Sequence, residues 1–197
     1  MSLDSENFDK LVDMTLQGKW GGVVKIYENG PSTNKARITQ TGGTALHAAV
    51  IQGQKEIVSR LVEVILKEYR EALRSQNDAG YTALHHAASM GSLCMCKCIA
   101  KDYPQLITTK TKRSETPLYI AVVNGQKDAF SYLHSLCSSS ESMAPRYAKK
   151  GHVIGLSKVE VSLQYGRDSS IACIAVDELK LDPSNTQSED RKNGVQN

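Results

Sequence analysis

One segment of the sequence occurs three times, and this repeat limits the folds that the chain can adopt. A threonine opens the core of each copy, and a glycine follows it nine positions later. The threonines are 38 and 34 positions apart. The copies read TGGTALHAAVIQG (41–53), AGYTALHHAASMG (79–91) and SETPLYIAVVNG (114–125). The threonine–glycine pairs are Thr44 and Gly53, Thr82 and Gly91, and Thr116 and Gly125. A repeat of this period predicts similar structural units placed side by side.

The residue types within each copy predict a short helix. A threonine accepts a hydrogen bond from the free backbone N–H groups of a first helical turn. Pro117 suits the first helical position because it has no N–H to leave unpaired. A glycine ends a helix because it adopts the left-handed conformation at low cost. His47 and His85 stand three places after their threonines. There we expect them to form hydrogen bonds between adjacent turns and helices rather than to bind metal.

A second helix is predicted after each closing glycine. In residues 54–69 the apolar side chains recur with helical spacing and the charged ones lie opposite them. Residues 92–100 and 126–136 occupy the same place in the later copies. A single pair of helices cannot bury its apolar face alone, so neighbouring pairs must stack into a continuous core. The sequence therefore predicts an all-α solenoid of helix-turn-helix units.

A degenerate copy precedes the three clear ones. Residues 11–31 have helical spacing, Gly18 stands where a closing glycine is expected, and Asp9 stands in the place of the threonine. We therefore expect about four units over residues 5–137. The longer first step of 38 residues is attributed to a second helix that continues through residues 67–76.

The repeat resembles ankyrin repeats. The phrases that carry the resemblance are TALHAA, TALHHAA and TPLYIA, at a period close to 33 residues. Residues 5–137 resemble in particular the N-terminal half of plant ankyrin proteins that carry a C-terminal PGG-type membrane domain. LQGKWGGVVKIYENGP, ARITQTGGTALHAAVIQG, NDAGYTALHHAASMG and ETPLYIAVVNGQKDAFSYLH are the matching stretches. The resemblance implies an ankyrin solenoid that binds partner proteins, and it associates the chain with stress and defence signalling.

Residues 138–197 do not continue the repeat. A serine-rich break opens them, residues 152–166 show partial alternation of apolar residues, and residues 169–181 form a second apolar patch. We expect a poorly structured or weakly β tail that is largely flexible. The membrane segment of the relatives is missing from it. The chain is therefore interpreted as a truncated or alternative form of such a protein.

Composition excludes several classes of function. Twenty-four Lys and Arg against 21 Asp and Glu give a net charge of +3, and the flat distribution of charge lacks the clustered basic stripe that nucleic acid binding favours. No apolar run approaches the ~20 residues that span a bilayer. The five cysteines are odd in number and three cluster within five residues, unlike an extracellular disulfide framework. These features predict a soluble cytoplasmic protein without membrane insertion.

The motifs of catalysis and cofactor binding are missing. The glycines of residues 18–30 match neither a phosphate-binding loop nor a dinucleotide turn, and no zinc-ligand spacing occurs. We predict that the protein is not an enzyme and needs no cofactor or metal. An alternative remains with Cys94 and Cys98, which lie four positions apart on one helix face. These thiols would suit a redox sensor.

The remaining candidate is a protein-binding surface. In a stacked array the turns and the exposed side of each first helix lie along one concave face. The positions there that differ most between the copies are Gln40, Thr41, Ile51, Gln52, Asp78, Tyr81, Ser89, Met90, Lys112, Arg113, Glu115, Val123 and Asn124. Tyr81, Met90 and Arg113 are of the types that anchor interfaces. The sequence thus predicts an adaptor, and as a second alternative a competitor of a membrane-bound relative.

Overall fold

The computed structural model describes residues 5–139, and all statements on structure concern this part of the chain. It contains eight α-helices and three short 3-10 helices. The helices are α1 (Ser5–Leu16), α2 (Trp20–Asn29), α3 (Ala45–Ile51), α4 (Lys55–Glu68), α5 (Ala83–Ser89), α6 (Leu93–Ala100), α7 (Pro117–Val123) and α8 (Lys127–Ser139). The 3-10 helices are Pro31–Lys35, Arg70–Arg74 and Pro104–Thr108. The all-α solenoid predicted from the repeat is thereby confirmed, whereas the expectations for the tail lie outside the described residues.

Local sequence sets the ends of the first helices. Thr44, Thr82 and Thr116 occupy the N-cap positions of α3, α5 and α7 in extended backbone conformation, and each of these helices has seven residues. The glycine that closes each copy has a positive φ of 66° to 72°, as does Gly18 after α1. These two features hold every repeated first helix to the same length.

Two details differ from the sequence-based expectation. Asp9 lies inside α1, which begins at Ser5, and is not its cap. Helix α4 ends at Glu68 and does not continue to residue 76. The chain turns there into a 3-10 helix that buries Ala72 and Leu73. The four additional residues of the longer step lie between the closing glycine and the 3-10 helix, a segment in which α4 has 14 residues and α6 has eight. Gly53 precedes Arg70 by 17 positions, and Gly91 precedes Pro104 by only 13.

The units stack in chain order. First helices pack on first helices, second helices pack on second helices, and the two helices of each unit pack on each other. Between these layers the core is built from fully buried aliphatic side chains and from small alanines at the first-helix contacts. Examples are Leu61 and Ile65 of α4, Leu84 and Ala87 of α5, and Leu133 of α8. Burying an aliphatic side chain of this kind contributes about 2 kcal/mol.

Loops connect each 3-10 helix to the next first helix. We call them loop 1 (36–43), loop 2 (75–81) and loop 3 (109–115). The backbone N–H of Asp78 in loop 2 donates to the carbonyl of Thr41 in loop 1 at 2.9 Å, and the N–H of Lys112 in loop 3 donates to Ala79 in loop 2 at 3.1 Å. The loops therefore form one continuous row along the same edge of the stack.

The helices of residues 5–139 are too short to cross a bilayer. The longest, α4, has 14 residues, fewer than the ~20 that the hydrocarbon core requires. None of the helices in this range combines the necessary length with the necessary apolar character.

Candidate functional site

Two histidines join the first helices to the loops of the next unit. His47 Nδ1 lies 3.1 Å from the backbone N of Thr44 and 2.9 Å from its Oγ1. Its Nε2 lies 3.0 Å from the carbonyl oxygen of Tyr81, in the following unit. A carbonyl only accepts, so Nε2 carries the proton and Nδ1 accepts from Thr44. The neutral ring thus connects the cap of α3 to loop 2.

His85 repeats this arrangement one unit later. Its Nδ1 lies 3.1 Å from the backbone N of Thr82 and 2.8 Å from Thr82 Oγ1, and its Nε2 lies 3.3 Å from the carbonyl oxygen of Glu115 in loop 3. The third copy has Tyr119 at this place, and its backbone N–H donates directly to Thr116 Oγ1 at 3.2 Å. The histidines therefore position loops 2 and 3, which carry much of the predicted binding surface.

Burial holds both histidines neutral. Their side chains are almost completely enclosed, and this desolvation lowers the pKa of His47 to about 4 and that of His85 to about 4. Hydrogen bonds to the carbonyls of Tyr81 and Glu115 act in the opposite direction but are the smaller effect. Neither ring is available as an acid–base group near neutral pH.

Most of the predicted binding residues are exposed in the row of loops and at the ends of the first helices. The loops contribute Gln40, Thr41, Asp78, Lys112 and Arg113, and the helix ends contribute Ile51, Gln52, Met90, Val123 and Asn124. Tyr81, Ser89 and Glu115 are only half exposed. We call the surface formed by loops 1–3 and the C-terminal ends of α1, α3, α5 and α7 the first-helix face.

Tyr81 is half exposed, and its ring also packs against two histidines of α5. Its ring centroid lies 5.5 Å from that of His85 and 5.2 Å from that of His86. Desolvation raises the pKa of the Tyr81 phenol; the negative charge of Glu115 raises it further, and the positive charge of Arg113 lowers it. Tyr81 thus packs against His85 and His86 of α5. Part of its ring is therefore occupied within the array and is not available to a partner, which its sequence position did not indicate.

Exposed apolar side chains recur at the C-terminal ends of the four first helices. Leu16, Ile51 and Val123 each stand two places before the closing glycine of their unit, and Met90 stands one place before it. Their exposed fractions are 79%, 50%, 49% and 46% for Leu16, Ile51, Val123 and Met90. Single exposed apolar residues need no explanation, but here one occurs at the C-terminal end of the first helix in each of four stacked units, at the same position or one position from it. We call this row the apolar stripe.

A cleft opens between the loops. It has a volume of about 390 Å³ and is lined by Arg37 of loop 1, by residues of loop 2 including Gln76 and Asp78, and by Lys110 and Lys112 of loop 3. Arg37 forms an ion pair with Asp78. Gln76 Nε2 donates to the carbonyl of Gly80 at 2.7 Å and to that of Lys110 at 2.8 Å, which fixes loop 3 against loop 2.

Three members of this surface were missed by sequence reasoning. Arg37 and Lys110 lie outside the positions that vary between the quoted repeats, and Leu16 lies in the degenerate first unit. The basic run KTKR at 110–113 is the signal that indicates Lys110. Leu16 could have been found by extending the alignment from Gly53 back to Gly18.

The thiols of α6 differ in environment. Cys94 is exposed, Cys96 is buried and Cys98 is half-buried. Burial raises the pKa of Cys96 to about 12, and desolvation also raises the pKa of Cys98. A raised pKa reduces the thiolate fraction and with it the reactivity. Within residues 5–139 no three His, Cys, Asp or Glu side chains are placed to hold a metal ion.

Comparison with known proteins assigns the architecture to a family. The family model for ankyrin repeats, in three copies, matches residues 11–110 and 64–144. The chain belongs to the ankyrin repeat family. Ankyrin arrays are in general interaction modules without enzymatic activity, and the first-helix face described above belongs to such an array.

Individual relatives are more distant. The ankyrin chain is 31% identical over 84 residues to the Ankyrin repeat and SOCS box protein 2 of Bos taurus. This match covers 43% of the chain and 13% of that relative, so the chain spans only a small part of its length. Among solved structures it is similar to a chain in the crystal structure of the yeast ribosomal protein Rps3 in complex with its chaperone Yar1. The TM-score is 0.58 at 21% identity, over 70% of this chain and 97% of that one. This likeness shows the fold.

Proposed function

We propose that the chain is an adaptor that binds a partner protein through the concave, first-helix face of its ankyrin array. The observation that carries this proposal is the apolar stripe of Leu16, Ile51, Met90 and Val123. A row of exposed apolar side chains, with polar residues beside it, is typical of a protein-binding surface. The similar structure comes from a complex of a protein with its chaperone, which is consistent with this role.

Binding of this kind requires no chemistry. Loops 2 and 3 are held by backbone hydrogen bonds and by His47 and His85, so the surface is formed before the partner arrives. A preformed surface loses little conformational entropy on association. We propose accordingly that the protein is not an enzyme, that it needs no cofactor, and that its partner is a protein rather than a nucleic acid.

The finer assignments rest on sequence alone. We propose that the array of residues 5–137 carries the binding function, that residues 138–197 form a separate non-repeat tail, and that the protein acts in the cytoplasm. Participation in plant stress or defence signalling is proposed on the resemblance to the PGG-domain proteins. Competition with a membrane-bound relative for the same partner is the variant of this role that the resemblance favours.

The test compares two triple variants in capture from an extract of the cells that express the protein. The first, Ile51→Ser/Met90→Ser/Val123→Ser, removes three members of the apolar stripe. The matched control, Glu56→Ser/Lys67→Ser/Lys101→Ser, changes three exposed residues of the second helices and the segment after α6. We expect the first variant to lose most of the captured partner, measured by quantitative mass spectrometry, and the control to retain it. Equal capture by both variants would remove the first-helix face as the binding surface.

A thiol sensor is the second candidate, because Cys94 is exposed and lies one helical turn from Cys98. The raised pKa of Cys98 opposes this function, since a sensor thiol reacts as thiolate. Mild peroxide followed by peptide mass spectrometry decides it: oxidation of both thiols supports a sensor, and two unmodified thiols exclude it.

A further inference from the structure

Loop 3 carries three cations that have no partner in the described part of the chain. Lys110, Lys112 and Arg113 are all exposed and stand within four consecutive positions. The ion pairs of residues 5–139 are Arg37 with Asp78, Arg60 with Glu28, and Arg74 with Glu71. None of them uses a cation of loop 3. Within residues 5–139, these exposed charges are therefore not neutralised by an ion pair.

The acidic groups of the first-helix face are already engaged. Asp78 pairs with Arg37. Glu115 is half-buried, and its Oε2 accepts a hydrogen bond from Thr111 Oγ1 at 3.1 Å. The exposed ends of α3, α5 and α7 contribute Ile51, Gln52, Met90, Val123 and Asn124, of which none is charged. The last turn of α1 adds the exposed carboxylate of Asp13, which accepts a hydrogen bond from Gln17 Nε2. The face therefore presents an excess of positive charge along the loops beside an uncharged apolar stripe.

The basic loops and the apolar stripe lie at opposite ends of the same helices. Helices α3, α5 and α7 have seven residues each, which at a rise of ~1.5 Å per residue corresponds to about 10 Å. This separation is close to the ~10–12 Å diameter of an α-helix with its side chains. A helix laid across the stack would contact the basic loops on one side and the stripe on the other.

Resting on the proposed function, we infer that the partner presents an acidic amphipathic helix to this face. Its carboxylates meet Lys110, Lys112 and Arg113 and enter the cleft beside Arg37, and its apolar side chains cover Ile51, Met90 and Val123. Charge complementarity of this kind sets the orientation of the partner and accelerates association. A helix bound in a groove usually contacts it through apolar side chains at positions i, i+3, i+4 and i+7.

The same cations would attract RNA, but the surface favours a protein. Single-stranded nucleic acid binds on exposed aromatic rings that stack with the bases. The aromatic ring of loop 2, Tyr81, is instead packed against His85 and His86. The apolar stripe, in turn, has no counterpart on a phosphate backbone.

The experiment measures fluorescence anisotropy of labelled probes with the full chain at 50 and 150 mM NaCl. The probe is an 18-residue peptide that forms a helix with Leu on one face and Glu on the other. Two further peptides replace every Glu by Lys or every Leu by Ser, and a 12-nucleotide polyuridine tests RNA. The variants are Lys110→Glu/Lys112→Glu and the matched control Lys25→Glu/Lys67→Glu, which reverses two exposed charges of the second helices. Circular dichroism verifies that both remain helical.

We expect the Leu/Glu peptide to bind, the Lys peptide not to bind, and the Ser peptide to bind at least tenfold more weakly. The variant Lys110→Glu/Lys112→Glu should bind the Leu/Glu peptide at least tenfold more weakly, and its affinity should depend less on salt. The affinity of the control variant for this peptide should stay within twofold of the wild type. Equal binding to the two variants, or tighter binding of polyuridine than of the peptide, would overturn the inference.

The two proposals fail in different ways. If capture from the extract depends on Ile51, Met90 and Val123 but not on Lys110 and Lys112, the adaptor function stands and the acidic partner is wrong. If neither group of residues affects capture, the adaptor function itself is wrong.

Discussion

His47 Nε2 lies 3.0 Å from the carbonyl oxygen of Tyr81, 34 positions further along the chain. This hydrogen bond begins in the capping turn of one helix and ends in the loop of the next unit. His85 and Glu115 repeat it at 3.3 Å. The geometry of the proposed binding surface therefore depends on two buried neutral rings.

Stability should fall in mild acid because of these rings. The unfolded chain binds protons at histidine below its ordinary pKa of ~6.5, whereas in the folded chain the pKa of His47 and of His85 is about 4. The unfolded state therefore takes up more protons between these values, and the free energy of unfolding decreases as the pH falls from about 6.5 towards 4. From pH 7 to pH 5 we expect a loss of about 2 kcal/mol per histidine.

Urea denaturation of the wild type and of His85→Gln at both pH values measures this contribution. The variant is less stable at pH 7, and its loss between pH 7 and pH 5 should be smaller by about 2 kcal/mol. An identical pH dependence of the two proteins would show that His85 does not titrate in this range.

Loop 3 holds a serine in a conformation that favours glycine. Ser114 has φ 65°, and the equivalent positions of loops 1 and 2 are Gly42 with φ 71° and Gly80 with φ 83°. A side chain in the left-handed region costs about 1 kcal/mol or more. We expect Ser114→Gly to raise the free energy of unfolding by about 0.5–1 kcal/mol, the greater backbone freedom of glycine in the unfolded chain offsetting part of the gain. Urea denaturation measures it.

The reverse exchange in loop 2 serves as the control. A Cβ at Gly80 would lie 2.6 Å from the backbone N of Lys112 and 3.0 Å from two backbone atoms of Thr111. Gly80→Ala should therefore lower the free energy of unfolding by about 2 kcal/mol or more, because the neighbouring loop must move. A neutral Gly80→Ala would contradict the close approach of loops 2 and 3.

Asn34 places an amide in an apolar environment. It is the fourth residue of the first 3-10 helix, and its counterparts in the later units are the buried Leu73 and Ile107. Asn34 is 1% exposed, and neither Nδ2 nor Oδ1 has a hydrogen-bond partner among the described residues. A buried polar group in this state costs about 1–3 kcal/mol.

We expect Asn34→Leu to stabilise the protein by about 1 kcal/mol, the larger side chain offsetting part of the gain. The mirror variant Leu73→Asn should destabilise it by about 2–4 kcal/mol. Urea denaturation measures the free energy of unfolding of both variants, analysed with the same dependence of this free energy on urea concentration. Destabilisation by Asn34→Leu would indicate that the amide has a partner that the leucine cannot replace.

The thiols of α6 should react with a fixed order. Because Cys94 is exposed while burial raises the pKa of Cys98 and raises that of Cys96 to about 12, iodoacetamide at pH 8 should modify Cys94 first, Cys98 more slowly and Cys96 least. Peptide mass spectrometry over time resolves the three sites, and labelling in urea provides the reference rates. Equal rates for Cys94 and Cys96 in the native protein would contradict the burial of Cys96.

The sequence by itself determined where the first helix of each repeat unit begins and ends and which side of its second helix is buried. Thr44 and Gly53 begin and end a helix through interactions within a dozen residues, and the spacing of apolar residues in α4 specifies which side is buried. Such signals are local, so they can be read from one chain. The end of α4 at Glu68 could not be read in this way, because burial of Ala72 and Leu73 overrides the helical propensity of residues 69–76.

Only the tertiary structure decided what the units share. Arg37 and Lys112 line one cleft although 75 positions separate them. This juxtaposition depends on the stacking of the units and on backbone hydrogen bonds between the loops. Such bonds do not require particular side chains, so the sequence does not reveal them. The same stacking packs Tyr81 onto His85 and His86 and brings four apolar helix ends into one line. Local chemistry fixes where a helix begins and ends, whereas contacts between units fix which side chains meet.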